Sequence, residues 1–264
     1  MRVHFAKMHG AGNDFVMFDD RDGAFPCSRN ILAAVGARGT GVGCEGIILV
    51  QKSDRADFRM RFFNPDGSEA EMCGNGARCV AAFAREIGAA ASDTMRFETI
   101  AGDVRAEIVG PERVKIALPD PKDLRADFVN SGVPHKIVPV ADLPSADVEG
   151  EGRRIRYSDE FAPAGTNVDF VVYRPPHGVD IRTYERGVEA ETGACGTGSV
   201  AAALVGVAQY GLAFPVSVRT VRGFELTIDG EFDGSAFRSV TLTGPVKKVF
   251  EGEIDLASLD IISE

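Results

Sequence analysis

The chain has 264 residues, a length that accommodates one large domain or two of ordinary size. Hydrophobic residues make up 44% of it, which is enough for a sizeable core, and the formal net charge is -10. Because binding to nucleic acid needs a basic surface, an acidic chain of this kind is not expected to bind it.

The N-terminal segment MRVHFAKMHG has neither the basic region nor the apolar region of a signal peptide. The longest nearly apolar run, SVAAALVGVA, is too short to cross a bilayer. We therefore expect a cytoplasmic protein without a membrane partner. Five cysteines at irregular spacings favour reduced thiols, and the four histidines show no metal-ligand spacing, so no metal is expected.

Short segments rich in Val, Ile and Phe, bounded by Gly, Asp and Pro, predict that most of the chain forms strands. In the first part of the chain these segments are residues 2–8, 14–20, 46–51 and 56–63. A short helix is predicted over residues 29–37. Residues 94–109 and 224–242 have the pattern of hairpins with Gly-Asp or Asp-Gly turns.

Two further helices are predicted, over about residues 77–87 and 199–210. The second is apolar on nearly every face, which is typical of a helix that is buried all round. The simplest arrangement therefore wraps a sheet around it. The first helix is less apolar, and we expect it to need an exposed side for its charged residues Arg78, Arg85 and Glu86.

One pattern occurs twice: MCGNGARC at 72–79 and ACGTGS at 194–199 each follow strands and a Glu-Ala-Glu segment, and each leads into an apolar helix. A structural duplication is the economical interpretation. We predict an N-terminal half over residues 1–118, with the tail at about 250–264 packing back on it, and a C-terminal half over 119–249. The boundary is placed where two prolines in LPDPK interrupt the strand pattern.

The repeated cysteines suggest a chemistry. A Gly-x-Gly turn that opens a helix gathers unpaired backbone N–H groups, and the helix dipole adds roughly half a positive charge there. Such a helix end can bind a carboxylate and stabilise a thiolate. Cys73 and Cys195 could then act on the two faces of an amino acid's α-carbon, one removing the proton and the other returning one, which inverts the configuration.

The sequence shows no recognisable site for pyridoxal phosphate, the usual support for an α-carbanion, so we predict no cofactor. A single cysteine beside glycine is otherwise typical of a small core residue. We interpret Cys79 in this way, because it lies six residues after Cys73 on the same helix and so points in another direction.

Four motifs resemble those of the diaminopimelate epimerases: MHGAGNDF (8–15), NPDGSEAEMCGNGARC (64–79), GTNVDF (165–170) and YERGVEAETGACGTG (184–198). The resemblance implies a pyridoxal-independent enzyme of lysine and peptidoglycan-precursor biosynthesis that interconverts LL- and meso-2,6-diaminopimelate. It also implies an α/β fold of two pseudo-symmetric halves, each a mostly antiparallel strand barrel around a central helix. A homodimer is implied in the same way.

The resemblance also implies roles for individual residues. It makes Cys73 and Cys195 the catalytic pair. The backbone amides that would hold the reacting carboxylate are those of Gly74, Asn75, Gly196 and Thr197.

Further implied substrate contacts are Asn13 and, at the distal end of the substrate, Asn64, Asn167 and Arg186. Glu185 is implied to meet the substrate ammonium and to tune the thiols, and His135 to modulate the pKa values of the cysteines. The expected partner is thus a small zwitterionic amino acid.

Two alternatives stay open. Related two-cysteine racemases act on histidine, proline or hydroxyproline, although Arg186, Asn64 and Asn167 favour a substrate with a second amino-acid head group. The Gly-rich turns, including residues 36–43, could instead bind phosphate in a non-catalytic module, although no G-x-x-x-x-G-K-[ST] motif is present.

Overall fold

The computed structural model describes residues 1–260 of the chain. It divides into two compact units, one formed by Met1–Ile116 with the chain from Pro245 onwards and the other by Ala117–Gly244. None of the helices in residues 1–260 is long and apolar enough to cross a membrane. The α-helices of this part of the chain are α1 (Arg29–Gly36), α2 (Gly74–Glu86), α3 (Val148–Arg156) and α4 (Gly196–Gln209).

The first unit is a mostly antiparallel strand barrel. Its strands are β1 (Arg2–Gly10), β2 (Asn13–Asp19), β3 (Gly46–Gln51), β4 (Phe58–Phe63), β5 (Glu69–Ala70), β6 (Thr94–Thr99), β7 (Gly102–Gly110), β8 (Arg113–Ala117) and the second half of β17 (Phe237–Asp255). Strands β2 and β3 and strands β4 and β6 pair in parallel, and the other neighbours in this unit pair antiparallel. Eight strands form a ring that closes where β17 pairs with β1 and β8, and β5 extends the sheet beside β4.

The second unit repeats this order of pairings. Its strands are β9 (Lys122–Arg125), β10 (Phe128–Asn130), β11 (Pro134–Pro139), β12 (Asn167–Arg174), β13 (Gly178–Glu185), β14 (Ala190–Thr192), β15 (Val216–Thr220), β16 (Glu225–Phe232) and the first half of β17. Here β11–β12 and β13–β15 are the parallel pairs. The remaining neighbours are antiparallel, so β10 to β16 match β1 to β7 of the first unit. The predicted pseudo-symmetric α/β fold is confirmed.

Each barrel encloses one central helix. Helix α4 packs against strands β10 to β13, β15 and β16, and all its residues from Gly198 to Gly206 are buried. Helix α2 packs against strands β1 to β4 and β7 of the first unit. Burial of apolar side chains is the main favourable contribution to folding, so the two helices act as the cores around which the sheets close. The prediction of a sheet wrapped around the helix at 199–210 is confirmed.

The predicted hairpins at 94–109 and 224–242 are present as β6–β7 and β16–β17, and the short helix at 29–37 is α1. Helix α3 was not predicted, because its sequence, VEGEGRRIR, combines charged residues with two glycines. Asp147 caps it by accepting a hydrogen bond from Gly150 N at 2.9 Å. A Cβ on Gly152 would lie 2.6 Å from Tyr184 Cβ, so glycine lets the helix pack closely on β13.

The chain passes from the first compact unit to the second after Ile116 and returns to the first at Pro245. The domain limits expected from the sequence, after residues 118 and 249, stay a prediction. In the predicted returning tail, residues up to Asp255 pair with β1, and residues 261–264 lie outside the described residues.

Candidate active site

Both candidate cysteines are N-cap residues of the central helices. Cys73 precedes α2 and Cys195 precedes α4, each with an extended backbone. The helices begin three residues earlier than the sequence indicated, because each Gly-x-Gly segment forms the first helical turn itself. First-turn N–H groups have no partner within the helix, so each cysteine lies at the positive end of a helix dipole.

In the first unit, Cys73 lies in a hydrogen-bonded group with Asn13 and Asn75. Cys73 Sγ donates to Asn13 Oδ1 at 3.6 Å, and Asn75 Nδ2 donates to the same oxygen at 3.2 Å. The side-chain nitrogen of Asn13, Nδ2, donates to the carboxylate of Glu45. Because a carboxylate only accepts hydrogen bonds, Glu45 fixes the orientation of this amide and turns its oxygen towards the thiol. Glu45 lies next to Cys44 in a segment without a motif, and sequence reasoning missed it.

Arg78 corrects an expectation from the sequence, because its side chain is fully buried. Its Nη2 donates to Asn75 Oδ1 at 2.7 Å and its Nη1 to the carbonyl oxygen of Gly74 at 3.3 Å. Burial lowers the pKa of Arg78 to about 10. The prediction of an exposed side was wrong for this residue, since α2 begins at Gly74. Arg78 therefore lies one helical turn after Gly74 on the same face of α2, and its side chain points back to the start of the helix.

Asn64, also in the first unit, takes part in a turn rather than in the group around Cys73. Its Nδ2 donates to Ser68 Oγ at 3.1 Å and its backbone N to Ser68 O at 2.8 Å. These bonds position Asn64 at the end of β4, and its role as a substrate contact stays a prediction.

In the second unit, the sulfur of Cys195 caps its helix directly. Gly198 N donates to Cys195 Sγ at 3.4 Å, and Thr197 Oγ1 lies 3.4 Å from the same sulfur. Burial raises the pKa of the Cys195 thiol well above its ordinary value, and the carboxylates of Glu185 and Asp169 raise it further. A thiol in this position therefore needs a nearby proton acceptor to ionise.

A buried histidine lies next to Thr197. His135 Nε2 is 3.0 Å from Thr197 Oγ1, and His135 Nδ1 is 2.7 Å from Asp169 Oδ2. Asp169 Oδ1 accepts from Thr183 Oγ1 at 2.7 Å. His135 and Asp169 are both completely buried. Sequence reasoning selected His135 but missed Asp169, although a charged residue within the buried strand NVDFVV was a usable signal.

Asn167 and Arg186 are also together in the second unit. Asn167 Oδ1 accepts from Arg186 N at 2.8 Å, and Asn167 Nδ2 donates to Pro134 O at 3.0 Å. The Arg186 guanidinium donates to the backbone oxygens of Ala164 and Gly165, and it forms no salt bridge with any residue in 1–260. A half-buried guanidinium bonded only to neutral oxygens retains its capacity for an anionic ligand.

Glu185 precedes Arg186 at the end of β13, and its Oε2 accepts from Thr192 Oγ1 at 2.7 Å. Thr192 belongs to β14, which leads into the segment that carries Cys195. The Glu185 carboxylate is one of the groups that raise the pKa of the Cys195 thiol. Over residues 1–260 there is no cluster of three His, Cys, Asp or Glu side chains that could hold a metal ion.

Three solved structures share the fold along nearly the whole chain. A PhzF-family phenazine biosynthesis protein from Bacillus anthracis superimposes with a TM-score of 0.73 at 17% identity, covering 96% of this chain and 99% of its own. A probable proline racemase from Agrobacterium radiobacter gives 0.71 at 16% identity, covering 98% and 94%. A hydroxyproline epimerase from Agrobacterium vitis gives 0.66 at 17%, covering 96% and 92%. The protein therefore has the fold of this class of racemases, epimerases and PhzF proteins. In this chain a cysteine caps the start of each central helix.

The sequence comparisons identify the family within this class. The sequence model described as diaminopimelate epimerase matches residues 5–121 and 128–249. The diaminopimelate epimerase of Aquifex aeolicus is 45% identical, covering 96% of this chain and 98% of its own. That of Chlorobaculum tepidum is 40% identical, covering 94% and 100%. The chain belongs to the diaminopimelate epimerase family.

Proposed function

We propose that the protein interconverts LL- and meso-2,6-diaminopimelate without pyridoxal phosphate, using Cys73 and Cys195 as the acid–base pair. The observation that carries the proposal is the cysteine N-cap at the start of both central helices. The names of the relatives that are 45% and 40% identical support the same substrate. The reaction would serve lysine and peptidoglycan-precursor biosynthesis.

The helix ends support the chemistry of proton removal. In the proposed reaction the α-carboxylate of the substrate accepts hydrogen bonds from the first-turn N–H groups of Gly74, Asn75, Gly196 and Thr197. Negative charge moves onto this carboxylate when the α-proton leaves, and oriented backbone dipoles stabilise such charge without reorganising. One cysteine then acts as a thiolate base and the other as a thiol acid, because inversion requires proton removal and proton delivery on opposite faces.

Arg186 supports a substrate with a second head group. Within residues 1–260 its guanidinium is bonded to backbone oxygens only, and Asn167 holds its backbone in place. We propose that Arg186 pairs with the distal carboxylate, that Asn64 and Asn167 contact the distal end, and that Glu185 receives the substrate ammonium. A site built to bind both ends of a substrate discriminates strongly against molecules that would leave its polar groups without partners.

The test is incubation of LL-diaminopimelate with the protein in deuterated water, without added cofactor, followed by resolution of the stereoisomers. We expect meso product with deuterium at the inverted carbon. Cys73→Ala and Cys195→Ala should each abolish epimerisation. Full activity in either variant would contradict the two-base mechanism.

Parallel incubations with histidine, proline and hydroxyproline separate the alternatives. Exchange with one of these amino acids but not with diaminopimelate would assign the protein to the related racemases, which share its fold. No α-proton exchange with any substrate would favour a non-catalytic anion-binding module.

We also propose that the protein works in the cytoplasm as a homodimer. Light scattering coupled to size-exclusion chromatography measures the oligomeric state, and a mass of 28.1 kDa for the eluting species would contradict the dimer.

A further inference from the structure

We propose that Asp169, His135 and the Thr197 hydroxyl form a proton relay that generates the Cys195 thiolate. This inference rests on the proposed function, and it assigns Asp169 a positioning role and the Thr197 side chain a proton-carrying role. The Thr197 hydroxyl would act in the relay, whereas the backbone N–H of the same residue would hold the substrate carboxylate.

The hydrogen bonds determine the direction of the relay. The Asp169 carboxylate accepts from His135 Nδ1 at 2.7 Å, which leaves Nε2 of the neutral ring as an acceptor. Thr197 Oγ1, 3.0 Å from Nε2, therefore donates its proton to the ring. The Thr197 oxygen remains free to accept from the Cys195 thiol at 3.4 Å.

Proton transfer along this chain is balanced. The S–H proton of Cys195 moves to Thr197 Oγ1 while the hydroxyl proton of Thr197 moves to His135 Nε2. A thiol and a neutral imidazole become a thiolate and an imidazolium, and the Asp169 carboxylate stabilises the imidazolium. Since no proton leaves the site, a buried thiol whose pKa is raised well above its ordinary value can ionise without losing its proton to bulk solvent.

Further hydrogen bonds hold the ends of the relay in place. Ser131 Oγ donates to Thr197 O at 2.9 Å, and Gly198 N donates to Cys195 Sγ at 3.4 Å. The second oxygen of Asp169 accepts from Thr183 Oγ1. The charged groups that act on the Cys195 thiol are the carboxylates of Glu185 and Asp169. Both disfavour a thiolate at Cys195, and Asp169, which contacts His135, offsets this by stabilising the imidazolium that the transfer creates.

The first unit supplies an internal comparison for these polar residues. In the second unit, Asp169 on β12 pairs with Thr183 on β13. It lies two residues after Asn167, which pairs with His135 on β11. The residues at the equivalent positions of the first unit are apolar and buried: Phe15, Ile48 and Phe62. The contacts of the first helical turn support the same equivalence of Asp169 and Ile48. A Cβ on Gly198 would meet Asp169, and a Cβ on Gly76 would meet Ile48.

The comparison shows that the barrel does not need polar residues beneath its helix. Burying a carboxylate and an imidazole is unfavourable unless they are paired, and apolar residues would pack there at no such cost. The polar positions therefore point to chemistry beneath Cys195 that the first unit does not perform beneath Cys73.

The relay is tested with Asp169→Asn and Thr197→Val, which conserve side-chain shape, and with Thr197→Ser, which restores the hydroxyl. We expect kcat to fall at least tenfold in the first two variants, with KM within about twofold and the melting temperature maintained. Thr197→Ser should recover most of kcat. Wild-type kcat in a folded Thr197→Val variant would overturn the proposal, as would an equal loss in Thr197→Ser.

A measurement without substrate separates the relay from the proposed function. Iodoacetamide modification at pH 7.5, mapped by mass spectrometry, reports thiolate at Cys195, with the half-buried Cys27 as an internal reference. Asp169→Asn and Thr197→Val should slow modification of Cys195 at least fivefold and leave Cys27 unchanged. Equal rates at Cys195 would overturn the relay, whereas a wild-type protein that fails to epimerise diaminopimelate overturns only the proposed substrate.

Discussion

Replacing Gly198 with alanine should damage the protein far more than the same change at Gly76. The two glycines occupy the same position in the first turn of the central helices. A Cβ on Gly198 would lie 2.5 Å from Asp169 Oδ1, well inside ordinary contact at 3.4 Å. The Asp169 carboxylate cannot retreat, because it is completely buried and hydrogen-bonded at both oxygens to Thr183 and His135.

The matched substitution, Gly76→Ala, meets a softer neighbour. Its Cβ would lie 2.9 Å from Ile48 Cδ1, a terminal methyl that can move with a small change of rotamer. Alanine gains up to about 1 kcal/mol over glycine within a helix. Overpacking a buried site costs about 1–3 kcal/mol. We therefore expect Gly198→Ala to destabilise by about 1–2 kcal/mol and Gly76→Ala to lie within about 1 kcal/mol of the wild type.

Thermal unfolding and α-proton exchange measure the two effects. Gly198→Ala should lower Tm by about 2–8 °C, and it should lower kcat more than tenfold because the carboxylate that orients His135 is displaced. Gly76→Ala should change kcat by less than about threefold. The same Tm and kcat in the two variants would refute the reasoning.

Three further predictions concern single residues. Arg78→Met should lower kcat about tenfold, because Asn75 loses a donor that holds the start of α2, while Tm changes by only a few degrees; unchanged kinetics would contradict this role. Arg186→Met should raise KM for diaminopimelate at least tenfold with Tm unchanged, and an unaltered KM would argue against a distal carboxylate. Burial raises the pKa of Cys44 to about 11, and only the thiolate reacts with iodoacetamide. Its modification rate should therefore rise about tenfold per pH unit between pH 8 and 10, and a flat profile by peptide mapping would contradict this.

The local features of this protein could be predicted from sequence. Strands, hairpins and the helix at 29–37 follow from short-range patterns of apolar and turn residues. The two Cys-Gly-x-Gly segments indicated the duplication and the proposed chemistry, since a helix start concentrates N–H donors wherever it occurs. Burial of Cys79 was also predicted and is confirmed, because the angle between two residues on one helix depends only on their separation.

Other features depended on tertiary contacts that no short segment contains. Arg78 carries a charge that is normally exposed, and only the packing of α2 inside its barrel shows that it is buried. Helix α3 depends on the close approach of Gly152 to Tyr184, two residues that lie far apart in the chain.

The same holds for the surroundings of the cysteines. Glu45 orients Asn13, and Asp169 meets His135, through side chains that the strand register brings together from separate segments. The sequence by itself thus determined which residues we propose as the acid–base pair, because a cysteine at a helix start is a local arrangement. The tertiary structure alone decided which groups surround those thiols, because hydrogen bonds of about 3 Å join residues that only the folded sheet makes neighbours.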